Sequence, residues 1–94
     1  MIKINIEKLK QKKLEELKNY VARLLSSTDY IIIKIAEAQA MGDTAQVNAL
    51  KQKYSTQLQQ REAIRTWNEQ IKRAIQNAQT LEELKAIEIR FEGV

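Results

Sequence analysis

Arg61 and Arg65 stand one helical turn apart, and Trp67, the only tryptophan, follows two residues later. Arginine and tryptophan dominate binding hot spots, so contact with another macromolecule is the first chemistry to consider. The spacing also puts Trp67 on one helical stripe with Ile64 and Ile71, the position of a core anchor. Arg61 and Arg65 fall on the flank facing Tyr20 and Leu24. There they either close the core with their aliphatic stems or pair with Glu62 and Glu69 on their own helix. Other chemistry has few residues to use. The chain has no histidine and no cysteine, which removes imidazole bases, thiol nucleophiles, disulfides and nearly every zinc or iron site. Its two aspartates, Asp29 and Asp43, both sit where helix caps are expected. Neither enzymatic activity nor a metal or cofactor is expected.

A basic surface is the second candidate. The net charge is +4, and residues 1–25 carry all of the excess, with seven basic side chains against three glutamates. Lys3, Lys8, Lys10, Lys12, Lys13 and Lys18 could attract phosphate, which gives an alternative reading as a small nucleic-acid-binding protein. Glu15 and Glu16 interrupt the run, so a solvated face on an amphipathic helix is the plainer reading. Clustered basic residues with exposed aromatics are missing, which argues against nucleic acid. No stretch approaches the roughly 20 apolar residues of a membrane span. The start, Met-Ile-Lys-Ile-Asn-Ile, lacks the apolar core of a signal peptide, so a cytoplasmic location is expected.

The elements that position these residues follow from one glycine. Gly42 is the sole interior glycine of a 94-residue chain without proline. It supplies the left-handed conformation that ends a helix, and Asp43 can cap the next one. One domain over residues 1–94 is expected, mainly α, built as a long antiparallel helical hairpin with its hinge at Gly42 and Asp43. The first arm runs from about Glu7 to Met41, with Leu14, Leu17, Val21, Leu24 and Leu25 as its stripe. It breaks or kinks at Ser26-Ser27-Thr28-Asp29, whose short polar side chains compete for backbone hydrogen bonds. The second arm opens on a capping box, Asp43 to Gln46, and continues unbroken to about Gln79. A second capping box, Thr80 to Glu83, opens a short C-terminal helix ending near Ala86. A turn centred on Gly42 and Asp43 sets residue i against residue 85 − i. Leu14 then meets Ile71, Val21 meets Ile64, and Ile31 meets Tyr54. Gln57 and Arg61 break a strict heptad, so the pairing is not a regular coiled coil.

Both ends alternate in period two: Ile2, Ile4 and Ile6 at one, and Ile87, Ile89 and Phe91 at the other. Each segment reads either as a short β-strand, paired with the other or with its copy in a dimer, or as an extension of its adjoining helix. Between them, Tyr30-Ile31-Ile32-Ile33-Lys34-Ile35 is the most apolar stretch. One hairpin face cannot cover a helix that is apolar nearly all round, so a second contact is expected there. Asp29, Tyr30, Ile31, Ile32, Ile33 and Ile35 are therefore the expected partner or oligomer interface.

The segment Leu24-Leu25-Ser26-Ser27-Thr28-Asp29-Tyr30, followed by Tyr54, Arg61, Ile64 and Arg65, resembles the small tail-assembly chaperones and related tail proteins of bacteriophages and prophages. Those proteins carry a leucine–polar–Thr-Asp-aromatic segment and then a Tyr-Arg…Leu-Arg helix. The run Ala78-Gln79-Thr80-Leu81-Glu82-Glu83-Leu84 is similar to their helical ends, and the resemblance spans about residues 20–90. Tyr30 stands where the family usually has tryptophan, and Ile31 to Ile35 where it has a proline-containing loop. Tyr54 and Arg61 are seven apart where its tyrosine and arginine are adjacent. The resemblance implies a non-enzymatic protein that transiently binds a tail structural protein, such as the tape measure, with Asp29 and Tyr30 as the carried-over positions.

Overall fold

The structure, a computed structural model, describes residues 5–92. Five helices follow in order: α1 (Ile6–Ser26), α2 (Asp29–Ala40), α3 (Thr44–Lys53), α4 (Ser55–Asn77) and α5 (Leu81–Ala86). α1 and α2 form the first arm, α3 and α4 the second, and the arms pack antiparallel in a rod of 65 × 23 × 18 Å.

The hinge is a Schellman turn. Gly42 takes φ +71°, its N–H donates to Gln39 O at 3.0 Å, and the Asp43 N–H donates to Ala38 O at 3.0 Å. The Asp43 carboxylate then accepts from the Gln46 N–H at 3.0 Å and starts α3. Two residues thus stop one helix, reverse the chain and cap the next. The register follows. Lys10 Nζ donates to Gln76 O and Arg61 Nη1 to Leu25 O, pairings one residue beyond those that 85 − i predicts.

The first arm breaks where the polar run occurs, though not by a side-chain N-cap. Ser26 Oγ donates to Arg23 O at 2.8 Å and Thr28 Oγ1 to Leu25 O at 3.1 Å, so both hydroxyls bond back to the turn they terminate. α2 has no side-chain cap at Thr28, and Asp29 supplies negative charge to its first turn.

The second arm departs from the unbroken helix expected. Tyr54, at φ −107° and ψ 24°, interrupts it between α3 and α4. Helical hydrogen bonds bracket the kink, from Tyr54 N to Leu50 O and from Leu58 N to Tyr54 O. No glycine or proline marks the place. Tyr54 is itself a core residue, with its ring edge-on to Tyr30 at 5.8 Å between centroids.

The C-terminal strand reading is corrected, and the N-terminal one lies mostly outside the described residues. Residues 1–4 lie outside the described ones, and Asn5 accepts from the N–H groups of Glu7 and Lys8, capping a helix that already contains Ile6. At the other end, residues 87–92 run extended without a strand partner among the described residues. Their alternation serves packing instead. Ile87 and Ile89 lie against the core, and Phe91 sets its ring against Trp67. The Phe91 N–H donates to the Tyr20 hydroxyl at 3.0 Å, which fastens this strap to α1.

Two separate clusters make the core. The proximal one centres on Leu17, Ile75, Ala78 and Leu84, ringed by Leu14, Val21, Trp67 and Ile71 among others. The distal one gathers Ile31, Ile35 and Ala38 of α2 against Val47, Leu50 and Tyr54 of the second arm. Arg61 stands between them.

Candidate interaction surface

α2 reads Asp-Tyr-Ile-Ile-Ile-Lys-Ile-Ala-Glu-Ala-Gln-Ala, a helix with apolar residues on two opposite sides. Ile31, Ile35 and Ala38 recur at helical spacing and are buried against α3. At roughly 100° per residue, Ile33 projects diametrically away from that buried stripe. Ile33 is 57% exposed, Tyr30 46% and Ile32 39%, and Ala36 and Ala40 extend the same side to the hinge. Met41, 83% exposed, ends it. The hairpin has spent one face of this helix and left the other.

This geometry divides the expected interface. Ile33 points outward with the exposed Tyr30 and Ile32 on its two flanks, whereas Ile31 and Ile35 are interior residues facing α3 and are unavailable to a partner. The composition of a run of four isoleucines in six residues could not make this distinction; only the phase set by the hinge does. Lys34 lies along the edge, its Nζ 5.7 Å from the Tyr30 ring centroid, and Glu37 follows one turn later on the same edge.

Asp29 belongs to a different arrangement. Its Oδ1 accepts from Arg61 Nη1 at 3.1 Å, and the same nitrogen reaches Thr28 Oγ1 at 2.8 Å and Leu25 O at 3.0 Å. Arg61 thereby holds the last turn of α1 and the first residue of α2 from across the hairpin. Its side chain is 7% exposed and that of Asp29 56%, so one partner is buried and the other faces solvent. Its Nε has no protein partner, which makes the placement costly. A small cleft of about 50 Å³ lies beside it, lined by residues including Ser27, Thr28, Gln57 and Gln60. Arg61 is thus a joint, not a contact surface. Arg65, by contrast, is exposed and reaches Glu62 on its own helix at 3.7 Å. The heptad mismatch at Arg61 was the sequence signal for this joint.

Trp67 is half-buried between two rings, 5.7 Å from Tyr20 and 5.5 Å from Phe91 between centroids. It ties α4 to α1 and to the strap. Beside it lies a shallow groove lined by Glu62, Ala63, Thr66, Arg90 and Glu92, among others. On α1, Lys8, Lys12, Lys13 and Lys18 spread around much of the helix circumference and do not converge on one patch. Among the described residues no three acidic, cysteine or histidine side chains gather as a metal site would require, and no helix is long and apolar enough to cross a membrane. Comparison of the chain with protein-family models, with curated proteins and with solved structures finds no match.

Proposed function

We propose that the protein is a non-enzymatic helical interaction module whose working surface is the outward side of α2. The observation that carries this reading is the exposure of Tyr30, Ile32 and Ile33 together on a helix whose opposite side is already used by the core. Large apolar side chains exposed singly are ordinary; Ile33 with Tyr30 and Ile32 on its two flanks, continued by Ala36, Ala40 and Met41, supports a contact surface. In its specific form the reading is an assembly adaptor or chaperone of the phage or prophage tail type, acting in the bacterial cytoplasm and binding a tail structural protein. Asp29 and Tyr30, the positions that the resemblance carries over, lie at the head of this surface.

Binding of the purified chain to a tail structural protein encoded beside it tests the proposal. Ile33→Asp should abolish that binding while leaving the circular-dichroism spectrum, and the melting temperature at concentrations too low for association, unchanged. Equal binding by both forms would discard α2 as the surface. A gel shift on DNA or RNA that weakens steeply with added salt would favour the lysine-rich arm instead.

A further inference from the structure

The geometry points to a second copy of this chain as an occupant of the outward side of α2, docked helix against helix and antiparallel. This rests on the reading of α2 as the interaction surface and adds what fits it. Two properties of the surface select the occupant.

The first is shape. The outward side is bulky at its N-terminal end, with Ile32 and Ile33, and small at its C-terminal end, with Ala36 and Ala40. A parallel copy would set isoleucine on isoleucine and leave a gap between alanines. An antiparallel copy turned about an axis between residues 35 and 36 sets Ile33 between Ala36 and Ala40 of the other chain, twice over. Large side chains then fill the space that small ones leave, as close packing requires.

The second is charge. Tyr30, Lys34, Glu37 and Met41 run along one edge of the helix at spacings of four, three and four, symmetric about the same axis. In an antiparallel pair this edge meets its own copy. Lys34 then faces the second copy's Glu37, Glu37 faces its Lys34, and each Tyr30 ring meets a Met41. A parallel pair would instead turn this edge toward the opposite edge of the second copy, where Ile32 lies, and leave Lys34 and Glu37 without partners of opposite charge. The helix dipoles also oppose each other in the antiparallel arrangement.

α2 is roughly 18 Å long, so the pairing covers less than the roughly 800 Å² per partner of a standard interface. The dimer is therefore expected to dissociate readily, with monomer and dimer exchanging at micromolar concentrations. Two rods of 65 Å overlapping along α2 would give a particle roughly 110 Å long, with the proximal lobes pointing apart.

Sedimentation velocity and oxidative cross-linking test this on the full chain, which has no cysteine of its own. The wild type should show a reversible monomer–dimer equilibrium, and Ile33→Asp should be monomeric with an unchanged helical spectrum. Lys34→Glu and Glu37→Lys should each weaken association about tenfold, while an equimolar mixture of the two, or the double exchange in one chain, should restore it. Ala36→Cys should form a disulfide-linked dimer, and Ala40→Cys should not, since antiparallel copies of residue 40 lie about 14 Å apart along the axis. Cross-linking of Ala40→Cys as fast as Ala36→Cys would overturn the antiparallel arrangement. Charge exchanges without effect would overturn the register. A wild type that stays monomeric at every concentration would remove the second copy altogether. In that last case, loss of tail-protein binding by Ile33→Asp would keep the proposed function; a dimer that binds no tail protein would do the reverse.

Discussion

The two ends of the rod solve the same burial problem with different amounts of chain. Proximally, α1 and α4 pack together, and α5 with the extended strap closes a third side. Leu17, Ile75 and Leu84 end up inside, with Trp67, Ile87 and Ile89 around them. Distally, among the described residues, α2 packs against α3 with only Tyr54 and Leu58 added from the second arm. One stripe of α2 is covered and its far side is left in water. A pair of helices buries one face of each and no more. The comparison teaches that the exposed isoleucines follow from the element count. Among the described residues, nothing in the distal lobe performs the task that α5 and the strap perform in the proximal one.

The largest effects should separate the lobes. Ile75 and Ile31 are both 0% exposed, so deletion of either side chain removes a similar amount of buried surface. Ile75→Ala should cost about 3–4 kcal/mol, because a core closed on three sides cannot collapse onto the cavity. Ile31→Ala should cost about 2–3 kcal/mol, since two helices can close together more freely. Denaturant titration followed by circular dichroism measures both. Equal losses would mean that the distal lobe is braced by something besides α3, Tyr54 and Leu58. Hydrogen exchange sharpens the same point: amides of α2 and α3 should open at lower free energy than those of α1 and α4.

Arg61 tests the joint between the lobes. Arg61→Ala should cost about 2 kcal/mol, less than a fully buried ion pair would, because Asp29 remains solvated when its partner leaves. Arg61→Met should cost under about 1 kcal/mol, since it fills the volume and removes the unpaired Nε. A loss from Arg61→Met as large as from Arg61→Ala would show that the hydrogen bonds to Leu25 O and Thr28 hold the joint, and not the packing.

Local signals made most of this fold legible in the sequence. The hinge, both caps at Asp43 and Thr80, the break at residues 26–29 and the short last helix each depend on side chains acting within a few residues of themselves. What was not legible depended on partners far along the chain. Tyr54 kinks the second arm with no breaker nearby, as it sits in the core opposite Ile31 and Tyr30. The tail alternates like a strand, and that period describes equally well an extended strap with one side against helices. Pattern specifies which side chains turn inward, and the surface they meet decides whether a sheet forms. On α2 the four isoleucines were conspicuous, but their division into inner and outer sets required the helical phase that the hinge imposes. The sequence carried no direct signal for the lock of Phe91 onto Tyr20.

The hinge offers a smaller effect. At Gly42 a Cβ would meet nothing within 4 Å, so the cost of a side chain there is purely that of the left-handed backbone. Gly42→Ala should therefore lose about 1–2 kcal/mol, and Gly42→Val somewhat more because of its β-branch. Asp43→Ala, which removes the cap of α3, should lose about 1 kcal/mol. Thermal melts would rank them. A Gly42→Asn variant that loses much less than Gly42→Ala would confirm conformation as the cause, because asparagine tolerates this region.

The smallest effect on folding falls where the largest effect on association is expected. Ile33 contributes little to the monomer core, being the isoleucine of α2 most exposed to solvent. Ile33→Ser should change monomer stability by less than about 0.5 kcal/mol, the usual range for surface positions. Ile31→Ser, two residues earlier, should cost several times as much, because it puts an unpaired hydroxyl into the distal core. The melts must be run at concentrations too low for dimers, since an associated wild type would be stabilised by mass action and would exaggerate the loss at Ile33. A melting temperature of the wild type that rises with protein concentration, alongside an Ile33→Ser variant whose melting temperature does not, would mark the outer side of α2 as the place where the distal lobe obtains its missing cover.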